Sequence, residues 1–262
     1  DHHLIQRELA SALWSMSDSN AANQERIAHA AGIPLIVKLL GDHADIHRDA
    51  AGALWSLAAD ANNRCLIANE GGIRRLVETL RTGKKNAAQE TAAGALSVLA
   101  KRGENRVLIA DSGGIASLIQ LYEGGSEMAK IQVTGALLAL CKDTPHNQYM
   151  TMAKLVAVLQ AGPVDTDVAP SAMRIEVEEQ ATNVICLLTR DRDVKDAISR
   201  TGIIAQLTKE LRAGSSAKAR HLAAEALVQI ARMSSALHIQ ASAQLVTLLG
   251  NVNEDVRQRA GN

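Results

Sequence analysis

One short phrase recurs along this chain, and its spacing constrains the fold more than any other feature. GALWSLA from Gly52, GALSVLA from Gly94 and GALLALC from Gly135 are near copies, with SALWSMS from Ser11 before them and EALVQIA from Glu225 after. They align on Leu13, Leu54, Leu96, Leu137 and Leu227, at intervals of 41, 42, 41 and then 90 residues. The last interval divides as 48 and 42 if Ile185 of NVICLLT is the missing member, so one repeat is enlarged and hidden. A period near 42 argues against a single globular core. It points to a stacked array in which each unit needs its neighbours to cover its apolar face.

A second landmark precedes each phrase: AAGIPLIVKLL from Ala30, EGGIRRLVETL from Glu70, SGGIASLIQLY from Ser112 and RTGIIAQLTKEL from Arg200. Glycine at this point takes the positive φ that ends one helix, and the apolar residue after it opens the next. Each repeat therefore reads as three helices, in the first complete one about residues 24–30, 34–40 and 46–59. Ile33, Ile36, Leu39 and Leu40 in the second, and Ala50, Leu54, Leu57 and Ala58 in the third, follow helical spacing. The 45 alanines and 31 leucines, with no Phe at all, suit thin helices that approach closely.

Composition excludes several functions. The 28 basic and 28 acidic side chains cancel, so no nucleic-acid footprint is expected. The longest apolar runs fall far short of the ~20 residues of a transmembrane helix. Cys65, Cys141 and Cys186 lie far apart without CxxC spacing, which disfavours a disulfide framework or zinc site. A reducing compartment fits: cytoplasmic rather than secreted, with nucleus or axoneme as alternatives. No GxGxxG, phosphate loop, HExxH or GxSxG is present, so neither enzyme chemistry nor a cofactor is expected. His43 and His47, with Asp45 and Asp49, could pair imidazoles on a helix face, but a solvated, acidic helix start is preferred to a metal site.

The unit of about 42 residues, with NNR or ENR at the first helix, a GGI turn and an AAGAL third helix, resembles the armadillo repeat family over essentially the whole chain. HEAT repeats, the nearest alternative, are two-helix units. The resemblance implies an all-α, right-handed α–α superhelix and a single armadillo domain over residues 1–262. Within it, 1–19 is a partial repeat and 20–60, 61–102 and 103–143 are regular. Residues 144–191 are a degenerate repeat with an insertion at 161–174 and a first helix near 146–152 that cannot pack like its neighbours. Residues 192–233 are regular and 234–262 truncated, so the chain reads as a fragment of a longer array.

In this family the third helices line a concave groove that binds an extended peptide or a partner helix. The resemblance puts groove-facing residues two before, one after and two after the reference leucine. These are Ser11, Trp14 and Ser15; Gly52, Trp55 and Ser56; Gly94, Ser97 and Val98; Gly135, Leu138 and Ala139; Asn183, Cys186 and Leu187; and Glu225, Val228 and Gln229. Glu90 lies near them. Trp14 and Trp55 occupy equivalent places in adjacent repeats, with Gly52 and Ser11 expected to leave room beside them. Two readings stand: the indoles anchor a partner, or each folds over its neighbour to seal the repeat junction. Cys186 reads more readily as a buried, inert thiol than as a groove residue.

Nuclear-import adaptors of the family carry Trp where this chain has Gly52, Gly94 and Gly135, and Asn where it has Ser56, Val98 and Ala139, so a typical importin-alpha is not expected. The AAGALWSLA wording is closer to armadillo-only scaffolds or axonemal armadillo proteins. The insertion reads first as a mobile loop with no partner, and in the alternative as a stiff acidic tip that offers Asp165 and Asp167 as a further contact. The expectation is a non-catalytic protein-binding scaffold, with no nucleic-acid partner and no indicated homo-oligomer. The alternatives are the recruiting region of a ubiquitin ligase or kinesin, or an assembly subunit that uses its convex face or array ends.

Overall fold

The computed structural model describes residues 2–41, 43–82, 87–161 and 172–260, so the insertion tip with Asp165 and Asp167 lies outside the described residues. The described residues are helix and turn throughout, and fall into two compact units, residues 1–147 and 148–262.

In the first unit, α1 (His2–Ser17) is followed by three complete repeats. They are α2 (Ala21–His29), α3 (Gly32–Leu39) and α4 (His47–Leu57); α5 (Ala61–Asn69), α6 (Gly72–Thr82) and α7 (Ala87–Leu99); and α8 (Gly103–Asp111), α9 (Gly114–Tyr122) and α10 (Glu127–Cys141). The third helices pack side by side in chain order, α1 on α4, α4 on α7 and α7 on α10. Leu54, Leu96 and Leu137 are fully buried there, as are Ala50, Ala92 and Ala95, whose small side chains let the helices close up. This is the three-helix solenoid repeat that the sequence period implies.

The double glycine has two separate causes. The first member takes the left-handed conformation, with φ of 77° at Gly71 and 81° at Gly113. The second sits against the last turn of the preceding helix, where an added Cβ would lie 2.6 Å from Ile67 Cγ2 at Gly72 and 2.6 Å from Ile109 Cγ2 at Gly114. In the first complete repeat Ala31 adopts the left-handed turn, with φ of 55°. A Cβ in that region is strained, so Ala31→Gly is expected to raise unfolding stability by about 1 kcal/mol in urea titration.

The NNR and ENR openings supply the polar fastening between repeats. Asn63 Nδ2 donates to Leu57 O (3.1 Å) and Gln24 O (3.3 Å), and Asn105 Nδ2 to Leu99 O (3.1 Å) and Arg64 O (3.2 Å). Each bond pair joins the end of the preceding third helix to the first helix of the preceding repeat. The neighbouring arginines cap the same helix ends, Arg64 Nη1 donating to Ala58 O (2.8 Å) and Arg106 Nε to Ala100 O (2.9 Å). Carbonyls that a helix terminus leaves unpaired are thereby satisfied inside the stack.

The first helix expected near residues 146–152 is instead part of one continuous helix, α11 (Pro145–Gln160). With no glycine pair to break it, MTMAKLVAVL carries the helix on. Asn147 keeps the role of its counterparts, fully buried and donating to Leu140 O (3.0 Å) and Arg106 O (3.1 Å). The expectation that this helix start could not pack like its neighbours is therefore corrected.

The second unit holds the rest of α11, then α12 (Ala172–Leu188), a 3₁₀ turn (Arg192–Val194) with α13 (Lys195–Thr201), α14 (Ile203–Ala213), α15 (Ala217–Ala231) and α16 (Ser235–Ala260). Ile185 is fully buried at the reference position, and α12 packs on α15 as third helices do in the first unit. The hidden repeat is thus a third helix in its expected register.

Glu210 is the unusual core residue of this unit, 5% exposed, with Gln206 Nε2 donating to its Oε1 at 2.9 Å and Oε2 without a hydrogen bond. Burial, then the nearby Glu178 carboxylate, push its pKa above the ordinary carboxylate value, while Gln206, Arg174 and Lys209 oppose them. A raised folded pKa contributes stability that is complete below the unfolded pKa and is lost as pH climbs through the folded one. Glu210→Gln, which stays neutral, is therefore expected to melt above the wild type near neutral pH, with the difference closing in acid. Melting curves over that range check the sign.

Candidate functional site

In the first unit, three of the residues one place after a reference leucine sit over the glycine of the next third helix. The Trp14 ring lies on Gly52, where an added Cβ would collide with the indole carbons, and the Trp55 ring lies on Gly94, whose added Cβ would be 2.8 Å from three ring atoms. Ser97 repeats the step over Gly135, its Oγ 3.3 Å from an added Cβ. The room expected beside Gly52 is filled by Trp14 itself, and both Gly52 and Gly94 are buried. Both tryptophans are half-buried, so each indole covers a repeat junction and keeps a smaller part of its surface in solvent. Arg48 adds a cation–π contact, its guanidinium carbon 5.7 Å from the Trp14 ring centroid.

The two rings line one open cleft of about 460 Å³, together with Asp18, Ser56, Val98 and Lys101. Ser11, Ser56, Ser97, Val98, Gly135, Leu138 and Ala139 are half-buried, and Ser15 is exposed. Glu90 is half-buried and accepts a 2.6 Å hydrogen bond from Ser126 Oγ, which in turn caps α10 by accepting from Ala129 N at 3.1 Å. Its carboxylate is thus tied into the junction between α7 and α10.

The same junction recurs in the second unit. Ser216 caps α15 and donates to Glu179 at 2.6 Å, and that bond, helped by Lys218, holds the Glu179 pKa below its ordinary value. Asn183, Leu187 and Gln229 are half-buried, and Val228 is 49% exposed. Glu225 accepts from Arg190 (3.2 Å) and Gln229 (3.0 Å). Cys186 is buried, and desolvation, followed by the Glu225 charge, pushes its thiol up to about 11, which makes it unreactive near neutral pH.

Three contributions were missed from sequence: the buried Asn and Arg fastening, the serine caps at Ser126 and Ser216, and the charges Asp18 and Lys101 beside the indoles. The caps had a signal, since a serine directly before each third helix is an N-cap pattern. His43, weighed for a metal pair, faces His3 with ring centroids 5.4 Å apart, and no cluster of three metal-ligating side chains occurs among the described residues. Among those residues no helix is long and apolar enough to cross a membrane.

No protein-family profile matches the chain. The splicing regulator ARVCF of Rattus norvegicus is 34% identical over 90 residues, which is 33% of this chain and 9% of that protein, and its Homo sapiens counterpart is 33% identical over the same shares. The chain therefore spans only a small part of the curated relatives it matches. Among solved structures, an engineered protein aligns with a TM-score of 0.62 at 24% identity, over 87% of this chain and 91% of that one. A designed armadillo repeat protein aligns with a TM-score of 0.59 at 16% identity, over 85% and 92%. A second designed armadillo protein, in complex with the peptide (KR)4, aligns with a TM-score of 0.58 at 16% identity, over 84% and 90%.

Proposed function

We propose that the chain, which shares its solenoid fold with the designed armadillo repeat proteins it aligns with, acts as a non-catalytic protein-binding scaffold whose recognition surface is the exposed face of its third helices. The observation that carries this reading is the cleft lined by two half-buried indoles, Trp14 and Trp55, in a chain with no other Trp and no Phe. Large aromatic side chains that stay partly solvated on a rigid floor are what interface anchors look like before a partner arrives. The designed armadillo neighbour that is in complex with the peptide (KR)4 supports a peptide segment as the occupant.

Ser11, Ser15, Ser56, Ser97, Val98, Gly135 and Leu138 would continue the contact surface in the first unit, and Asn183, Val228 and Gln229 in the second. Glu90 and Glu225 would serve by fixing helix junctions. The reading takes residues 1–262 as one run of repeats. The three unbridged thiols support a reducing compartment such as the cytoplasm. Comparative affinity purification with wild type and the Trp14→Ala, Trp55→Ala double variant, with recovered proteins quantified, tests the proposal. A set of proteins reduced by about tenfold or more is expected. Equal recovery by both would remove the indoles from the account.

A further inference from the structure

We infer that the Trp14–Trp55 cleft selects a neutral, apolar segment: a peptide that presents an aromatic or branched aliphatic side chain and carries no run of cations. This inference rests on the proposed groove reading and narrows it to one partner chemistry. The argument is one of charge and of what the carboxylates already do. A cationic ligand needs unengaged acids along its path. The cleft lining holds one carboxylate, Asp18, against one ammonium, Lys101. Arg48 stands exposed beside the Trp14 ring, and neither it nor Lys101 forms an ion pair among the described residues. Glu90, one turn before Gly94 on the next third helix, is held by Ser126 Oγ at 2.6 Å. A segment such as (KR)4 would bring its charges beside Arg48 and Lys101 and gain a single acid in return.

The apolar side of the argument is equally specific. Trp14 and Trp55 are seated on Gly52 and Gly94, so neither ring can drop further into the helix contact. Their outer surfaces form a preorganised wall pair with the half-buried Val98 beside them. An entering apolar side chain loses its own hydration and that of the indoles, without displacing an ion pair.

The test is selection from a random-peptide phage library on the whole chain, followed by titration of the enriched peptides and of (KR)4. Tryptophan emission is the readout, because both tryptophans of the chain lie in this cleft. Enriched peptides are expected to share an aromatic or branched aliphatic residue, lack Lys and Arg runs, and shift the emission. They should lose about tenfold or more in affinity to Ser56→Arg, which narrows the cleft mouth while leaving both rings on their glycines, and comparably to Trp55→Ala. Enrichment of Lys/Arg runs, or (KR)4 binding that Ser56→Arg weakens, overturns the inference. So do apolar peptides indifferent to both substitutions; if Leu138→Glu abolishes their binding, the groove reading stands and only the cleft assignment falls. Recovery of no peptide at all overturns both.

Discussion

Asn105→Ala should lower the unfolding free energy by about 2 kcal/mol, although it touches no part of the proposed binding surface. Asn105 is 1% exposed, and its Nδ2 donates to two carbonyls from two different helices. Alanine removes both bonds, at about 0.5–1.5 kcal/mol each because Leu99 O still accepts from Arg102 N at 3.2 Å, and opens a small void. Part of this is recovered, because Asn105 Oδ1 is itself buried without a hydrogen-bond partner and disappears with the substitution. The bonds join neighbouring repeats, and in a stacked array the coupling between repeats carries much of the stability. The variant should therefore also unfold less cooperatively, with a smaller dependence on urea concentration. A loss under about 0.5 kcal/mol with unchanged cooperativity would mean that apolar contact alone holds these repeats together.

The second large effect belongs to the indoles. The Trp14→Ala, Trp55→Ala double variant should bind a groove partner at least about thirtyfold more weakly, some 2 kcal/mol, the scale on which interface anchors act. It should also lose stability, because part of each ring is packed on a neighbouring glycine. At roughly 25 cal/mol per Å² of apolar surface, a half-covered indole contributes on the order of 2 kcal/mol to its junction. Binding must therefore be compared where both proteins are folded. Gly52→Ala provides a separate check, since its Cβ evicts the Trp14 ring without deleting it. Its cost should shrink in a Trp14→Ala background, as a double-mutant cycle would show.

The repeat period, the three-helix unit and the equivalence of Trp14 with Trp55 were legible because they recur at fixed intervals. The hidden third helix was legible too, since Ile185 divides the 90-residue gap into 48 and 42. The continuity of α11 could have been read from the absence of any glycine pair after Asn147. What could not be read was which side chain meets which glycine. Trp14 and Gly52 lie 38 positions apart, and Trp55 and Gly94 39, so their pairing depends on the stagger of adjacent third helices, which no single repeat encodes. The two readings of the tryptophans, anchor or seal, therefore looked exclusive from sequence. In the folded chain one face seals and the remaining surface is available. The buried asparagines were visible only as landmarks for the same reason, because their acceptors belong to the preceding repeat.

The central claim is that the third-helix face around Trp14 and Trp55 binds a protein segment. Its most direct test is calorimetric titration of a recovered partner into wild type and into the double alanine variant, at a temperature where circular dichroism shows both fully helical. A loss of about thirtyfold or more in affinity is predicted. Unchanged affinity in a folded variant would contradict the claim and assign the tryptophans to repeat packing alone.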